Sequence, residues 1–237
     1  MVKFWVGFAL LVAAVATLSH CDSMAVGNPF NLSFNFSHGS GQTGSGVARS
    51  EPRDIGEFSS IHAEGAGTLD VVVKSGQAGR VVELTADDNL LSLVATEVRD
   101  GVLEVGPSVS INPSTGLRLK VSVPALTGIH LEGANDLNLS IDSPDEFTLH
   151  IEGAGRVKAT GKVESLIVHS EGAGSVDASQ LVASSVDVRI EGAGKARVHA
   201  TESLKASIEG AGIITYSGDP KKVERNIEGI GRIAKAG

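Results

Sequence analysis

Aromatic side chains are scarce in this chain: 1 Trp, 1 Tyr and 7 Phe make up 4% of its 237 residues. A cleft that grips sugars between aromatic platforms is therefore short of material. Cysteine occurs once, at Cys21, which excludes an intrachain disulfide framework and a cysteine-rich zinc site. With only 7 prolines, collagen and proline-rich disorder are excluded. Basic residues are outnumbered, 20 against 28 acidic, for a formal charge of −8. No nucleic-acid partner is expected, because neutralising phosphates requires a basic surface. What is present is a folded composition, 41% hydrophobic and 20% charged, on a length that allows one large domain or two small ones. Glycine is in excess: 29 residues, about twice the usual share. Where those glycines sit decides the reading.

The amino terminus has the pattern of an export signal. Met1 to Lys3 is a short basic start, and Phe4 to Leu18 is an apolar run of 15 residues. That is short for a membrane span and right for a signal-peptide core. The run ends in Leu18-Ser19-His20-Cys21, which resembles the lipobox of bacterial lipoproteins, with Cys21 as the lipidated residue. His20 departs from the small residue expected there. Two readings stay open: lipidation at Cys21, or an ordinary signal-peptidase cut near Ala16 or Ala25. Residues 1–20 read as the signal and residues 21–49 as a flexible tether, since Ser37 to Gly46 has linker composition. The Phe30, Phe34 and Phe36 spacing offers an edge strand as the alternative. No Gly-Lys-Ser/Thr follows the glycine cluster, so it is not a phosphate loop.

From residue 50 to 237 the chain repeats. Glu64-Gly65-Ala66-Gly67 returns at Glu132-Gly133-Ala134-Asn135, Glu152-Gly153-Ala154-Gly155 and Glu171-Gly172-Ala173-Gly174. It returns again at Glu191-Gly192-Ala193-Gly194, Glu209-Gly210-Ala211-Gly212 and Glu228-Gly229-Ile230-Gly231. From Glu132 the steps are 20, 19, 20, 18 and 19 residues, the signature of a solenoid or array. Apolar residues alternate before each motif, as in Phe147, Leu149, Ile151 and Val186, Val188, Ile190. Period two with β-branched side chains predicts strands with one face inward. The glycines predict corners, where positive φ and close backbone approach are needed. The expectation is an all-β fold, a β-solenoid of about 19 residues per rung, with rungs ~4.8 Å apart. Its narrow aliphatic core accounts for the aromatic deficit. The strict hexapeptide period of a left-handed β-helix is not seen. Glu64 and Glu132 stand 68 positions apart, and the stretch between these two motifs carries no further copy but still reads as strands, either degenerate rungs or a capping meander.

Several features carry a resemblance over nearly the whole region from Ser50 to Gly237. They are Phe58-x-x-Ile61 leading into Glu64-Gly65-Ala66-Gly67, then Asp88-Asn89-Leu90-Leu91 followed by Thr96-Glu97-Val98 and Gly101-Val102-Leu103. The ending Tyr216-Ser217-Gly218-Asp219-Pro220, followed by a last glycine motif, completes the set. In this order they resemble the auto-transporter adhesin head domain family, also called the head GIN domain. The resemblance implies a single-stranded right-handed β-helix, an exported and often lipid-anchored protein, and no catalytic residues to carry over. The chain departs from the pattern in having Glu, not a small residue, before every Gly-x-Gly. No aromatic-girdled strands follow the last motif that would form an outer-membrane barrel.

Stacked in register, Glu132, Glu152, Glu171, Glu191, Glu209 and Glu228 form one outward column. Two residues upstream stand His62, His130, His150, His169, Arg189, Ser207 and Asn226 on the same face. Opposed like charges destabilise a sheet, so the second column is expected to compensate the first. One reading is a solvated ladder of small net value. The other is a divalent-cation or partner stripe, with Glu132, Glu152, Glu171, Glu191, Glu209, His130, His150 and His169 as candidate ligands for Ca²⁺, Mg²⁺ or Zn²⁺. Imidazoles beside carboxylates also suit a pH-responsive face. The four His-x-Glu pairs lack the Pro-Cys-x-x-Cys of zinc deaminases, and neither His-Glu-x-x-His nor a Gly-x-Ser-x-Gly elbow occurs. The acid pairs Asp87-Asp88 and Asp142 with Asp145-Glu146 read as turn or corner residues. The expectation is a non-catalytic module of the periplasm, outer membrane or cell surface, without a cofactor unless a cation. Its expected partners are the membrane, an envelope protein or glycan, and a second copy of itself.

Overall fold

The computed structural model describes residues 41–143 and 145–236. The signal segment, Cys21 and the tether up to residue 40, with Phe30, Phe34 and Phe36, lie outside the described residues. The first strands are β1 (Gln42–Thr43), β2 (Ala48–Pro52), β3 (Ser60–Lys74), β4 (Val81–Asp87) and β5 (Val94–Arg99). Then come β6 (Val102–Pro107), β7 (Ile111–Asn112), β8 (Arg118–Val123), β9 (Gly128–Asp142) and β10 (Glu146–Gly153). The chain continues through β11 (Arg156–Gly172), β12 (Ser175–Gly192), β13 (Lys195–Ser217) and β14 (Lys222–Lys235). A single 3₁₀ turn, Leu91–Leu93, is the one helical element among the described residues. No helix there is long and apolar enough to cross a membrane.

Alternation does what the sequence predicts. In β10, Phe147, Leu149 and Ile151 are buried while Thr148, His150 and Glu152 face outward. The chain folds as a β-solenoid of about 5 turns. Successive rungs pair in parallel, in the order β14-β13-β12-β11-β10-β9-β3. The corners are part of this ladder: Ala173 N donates to Gly153 O at 2.8 Å, and Ala193 N to Gly172 O at 2.7 Å. A continuous rung-to-rung bonding pattern leaves the corner backbone satisfied as it turns. The core is a column of Val, Leu, Ile and Ala, with Phe147 as the bulkiest fully buried side chain.

The first rung is not the end of the stack. β3 pairs with β9 on one side and with β6 and β8 on the other, all parallel. The residues between Glu64 and Glu132 thus build a rung behind β3, and the chain then crosses to the opposite side to begin β9. That rear rung is closed by antiparallel strands: β4 on β8, β2 on β4, and β5 on β6. Both readings of this stretch meet here, since it supplies one rung and then a cap.

Residues 42–49, read from composition as tether, carry β1 and the first two residues of β2. β1 pairs with β7, and Ala48–Pro52 pairs with β4. The reason is that this strap is held by backbone, which Gly- and Ser-rich composition does not reveal. Asp87, fully buried, accepts from Gly46 N at 2.7 Å, Ser114 N at 2.9 Å and Thr115 N at 3.2 Å. Asn89 donates to Thr43 O at 2.8 Å and accepts from Ser45 N at 2.9 Å. Asp87 and Asn89 are thus the clamp of the strap. Pro52 ends β2 on the sheet edge, where its missing N–H costs nothing.

Candidate functional site

Each motif glutamate occupies the last outward position before a corner. The residue before it faces the core, as Ile151 does before Glu152, and the glycine after it turns the chain at positive φ. Parallel register then superimposes the copies. Glu64 pairs with Glu132, Glu132 with Glu152, Glu152 with Glu171, Glu171 with Glu191, Glu191 with Glu209 and Glu209 with Glu228. Two residues upstream the second column is equally continuous, running His62, His130, His150, His169, Arg189, Ser207 and Asn226.

The columns interlock across rungs. His62 Nε2 lies 4.0 Å from Glu64 and 3.7 Å from Glu132. His130 Nε2 is 3.0 Å from Glu152 Oε1, and His150 Nε2 is 3.4 Å from that same oxygen and 3.4 Å from Glu171. Arg189 reaches Glu191 at 2.7 Å and Glu209 at 2.5 Å. His62, His150 and Arg189 each stand between the glutamate of their own rung and that of the next. All are half-exposed, so each pair contributes only about 0–1 kcal/mol. The imidazoles also stack: His62 on His130 and His130 on His150, each with ring centroids 4.5 Å apart. His169 breaks the stack, meeting His150 edge-on at 6.0 Å.

The ladder is therefore two unlike halves. In the His half, two sets of groups bring one ligand atom each within 4.8 Å of one another: His130, His150 and Glu152, and His62, Glu64 and Glu132. In the Arg half, Glu191 and Glu209 are held by a guanidinium. Of the residues singled out as cation ligands, the structure gathers Glu132, Glu152, His130 and His150 into these sets. Glu171 touches His150 only, and Glu191, Glu209 and His169 stand apart. His62, a member of the flanking column, and Glu64, outside the glutamate column that the sequence predicts, join the sets. Beside them the β5–β6 hairpin frames a groove of about 240 Å³, lined by His62, Glu64, Glu97, Arg99 and Glu104 among others. Arg99 bridges Glu97 at 2.8 Å and Glu104 at 3.3 Å. The hydrogen bond and charge of Glu97, with Glu104 adding to them, raise its pKa further.

Fold and face together define a β-solenoid that repeats one outward array of side chains along its length. The sequence places it further. Residues 57–220 match the family described as "putative auto-transporter adhesin, head GIN domain", and the chain belongs to that family. Among solved structures, a putative adhesin from Bacteroides fragilis is similar at 23% identity and a TM-score of 0.70, over 83% of this chain and 100% of the other. A putative lipid binding protein from Parabacteroides distasonis matches at 21% identity and a TM-score of 0.48, over 82% and 99%. A putative adhesin from Parabacteroides merdae matches at 18% and 0.48, over 82% and 98%. No curated protein matches the chain.

Proposed function

We propose that the protein is a non-catalytic surface-interaction module: an exported, Cys21-anchored envelope protein that presents its solenoid face to a surface protein or glycan. The observation that carries this reading is the in-register column of seven motif glutamates, flanked by His or Arg at the first five copies, in a chain of the adhesin head family. A repeated array meets a repeated partner at many weak points at once, so avidity replaces a single deep pocket.

The test replaces Glu152, Glu171 and Glu191 together by Gln. Retention on envelope glycans or on cell surfaces is expected to fall at least tenfold while the melting temperature holds. Unchanged retention, with only an altered response to cations or pH, moves the function to a periplasmic sensor. Depolymerisation of an acidic polysaccharide by the purified protein would move it to a lyase. For the anchor, Cys21→Ala is expected to release the protein from the membrane fraction, and the mass of the mature chain reads the lipid directly.

A further inference from the structure

Three features of the His half single out one point on the ladder. His130 Nε2 and His150 Nε2 converge on a single oxygen, Glu152 Oε1, at 3.0 Å and 3.4 Å. His130 forms a directed hydrogen bond to it. His150 Nε2 forms none, although that nitrogen is closed off from solvent, a state it shares with His62 Nε2. A desolvated polar nitrogen without a hydrogen bond is unfavourable, and it sits here 3.4 Å from each of two carboxylates. The spacing has a chemical match. Tetrahedral zinc with bonds of about 2.0–2.1 Å to nitrogen and oxygen sets its ligand atoms about 3.3 Å apart. The two distances measured to Glu152 bracket that edge.

The geometry points to a zinc site formed by His130, His150 and Glu152, three protein ligands with the fourth position open to water. Two imidazoles and one carboxylate suit a borderline metal, whereas Ca²⁺ and Mg²⁺ take oxygen-rich sets. Binding draws both rings out of their near-parallel stack, whose planes now lie 14° apart. It also places positive charge against the glutamate column, where like charges oppose one another. His62, Glu64 and Glu132 form a second, weaker site, because its distances of 4.0 Å and 3.7 Å are wider and it offers one nitrogen. The Arg half binds no metal, since Arg189 already fills the space between Glu191 and Glu209. The site shares Glu152 with the face proposed to meet a partner, but its metal titration needs no partner.

The experiment titrates the full chain, stripped with chelator, with ZnCl₂ alone by calorimetry. One equivalent is expected to bind tightly and a second at least tenfold more weakly. A hundredfold excess over Kd should raise Tm by about 5–10 °C. His150→Ala and Glu152→Gln should each weaken the tight step more than tenfold, and His169→Ala should leave it intact. Melting of each variant without zinc checks that it folds. Co²⁺ in the unaltered chain should give the strong visible absorption of a tetrahedral complex. Absence of both heat and Tm shift at millimolar zinc overturns the site. So does tight binding that survives in the His130→Ala, His150→Ala double variant, because that places the metal elsewhere.

Discussion

The two glycines of each corner are there for different reasons. Gly192 has φ +108, and a Cβ built on it would lie 2.6 Å from the carbonyl oxygen of Gly172 in the rung before. Gly194 has an ordinary φ but faces the core, where a Cβ would lie 3.0 Å from Ile190 Cγ2. The sequence motif assigns both needs to the corner as a whole, and the backbone divides them. The division explains why the second glycine alone is replaced, at Asn135. A side chain there enters the core, and Asn135 is tolerated because its amide is bonded, donating to Glu132 O at 2.9 Å and to Gly65 O at 3.4 Å. Gly192→Ala is therefore expected to destabilise by at least about 1–3 kcal/mol from backbone strain alone. Gly56→Ala, with open space around it, should stay within about 0.5 kcal/mol. Denaturant unfolding of the two variants checks the contrast, and equal losses would remove the argument.

At the scale of elements, the strap β1–β2 shows what sequence patterning misses. Rungs are legible because alternation and corner glycines mark them in the side chains themselves. The strap is marked by neither, and its hold comes from Asp87, a buried carboxylate that from sequence reads as a turn residue. Burial pushes the Asp87 carboxyl up, but the amides of Thr115, Gly46 and Ser114, with the Thr115 hydroxyl, outweigh it and hold it below the usual carboxylate range. A folded pKa below the unfolded value, about 3.9 for Asp, gives stability that is present above the unfolded pKa. That stability is lost as pH falls through the folded pKa. Asp87→Asn should thus lower Tm at neutral pH, and the gap to the parent chain should close in strong acid, below the ordinary Asp range. Melting curves from pH 7 to pH 2 test this, and a gap that stays constant over that range would contradict it. The two columns of the ladder are likewise legible as columns. Which histidine meets which glutamate is not, because the pairing crosses rungs and depends on side-chain reach that period alone does not give.

On the scale of the whole molecule, the stack has two unlike ends. The rear rung is covered by antiparallel β4, β2 and β5, an order hidden from the sequence because a repeat period does not say on which side of the first rung an excursion returns. At the other end, among the described residues, β14 pairs with β13 alone. Its core-side position Ile227 is 42% exposed, whereas its register partner Ile208 is 0% exposed. Ile230, in the last corner, is 84% exposed. Arg225 offers partial cover, lying over the Tyr216 ring at 5.3 Å from its centroid and donating to the Tyr216 hydroxyl. In a solenoid each rung is stabilised by its neighbours, so a rung with one neighbour opens first. Native-state hydrogen exchange should then show a gradient: β14 amides exchange fastest, β13 more slowly, and β11–β12 only with global unfolding. Dilution should leave the gradient unchanged if the chain is monomeric. Should β14 be protected as well as β12, and should that protection fade on dilution, a second copy covers the edge, because an exposed strand row and Val223, Ile227 and Ile230 offer it both hydrogen bonds and apolar surface. Protection of β14 that is high and independent of concentration would show that one-sided pairing does not limit this end, and the nearest-neighbour account of the stack would fail.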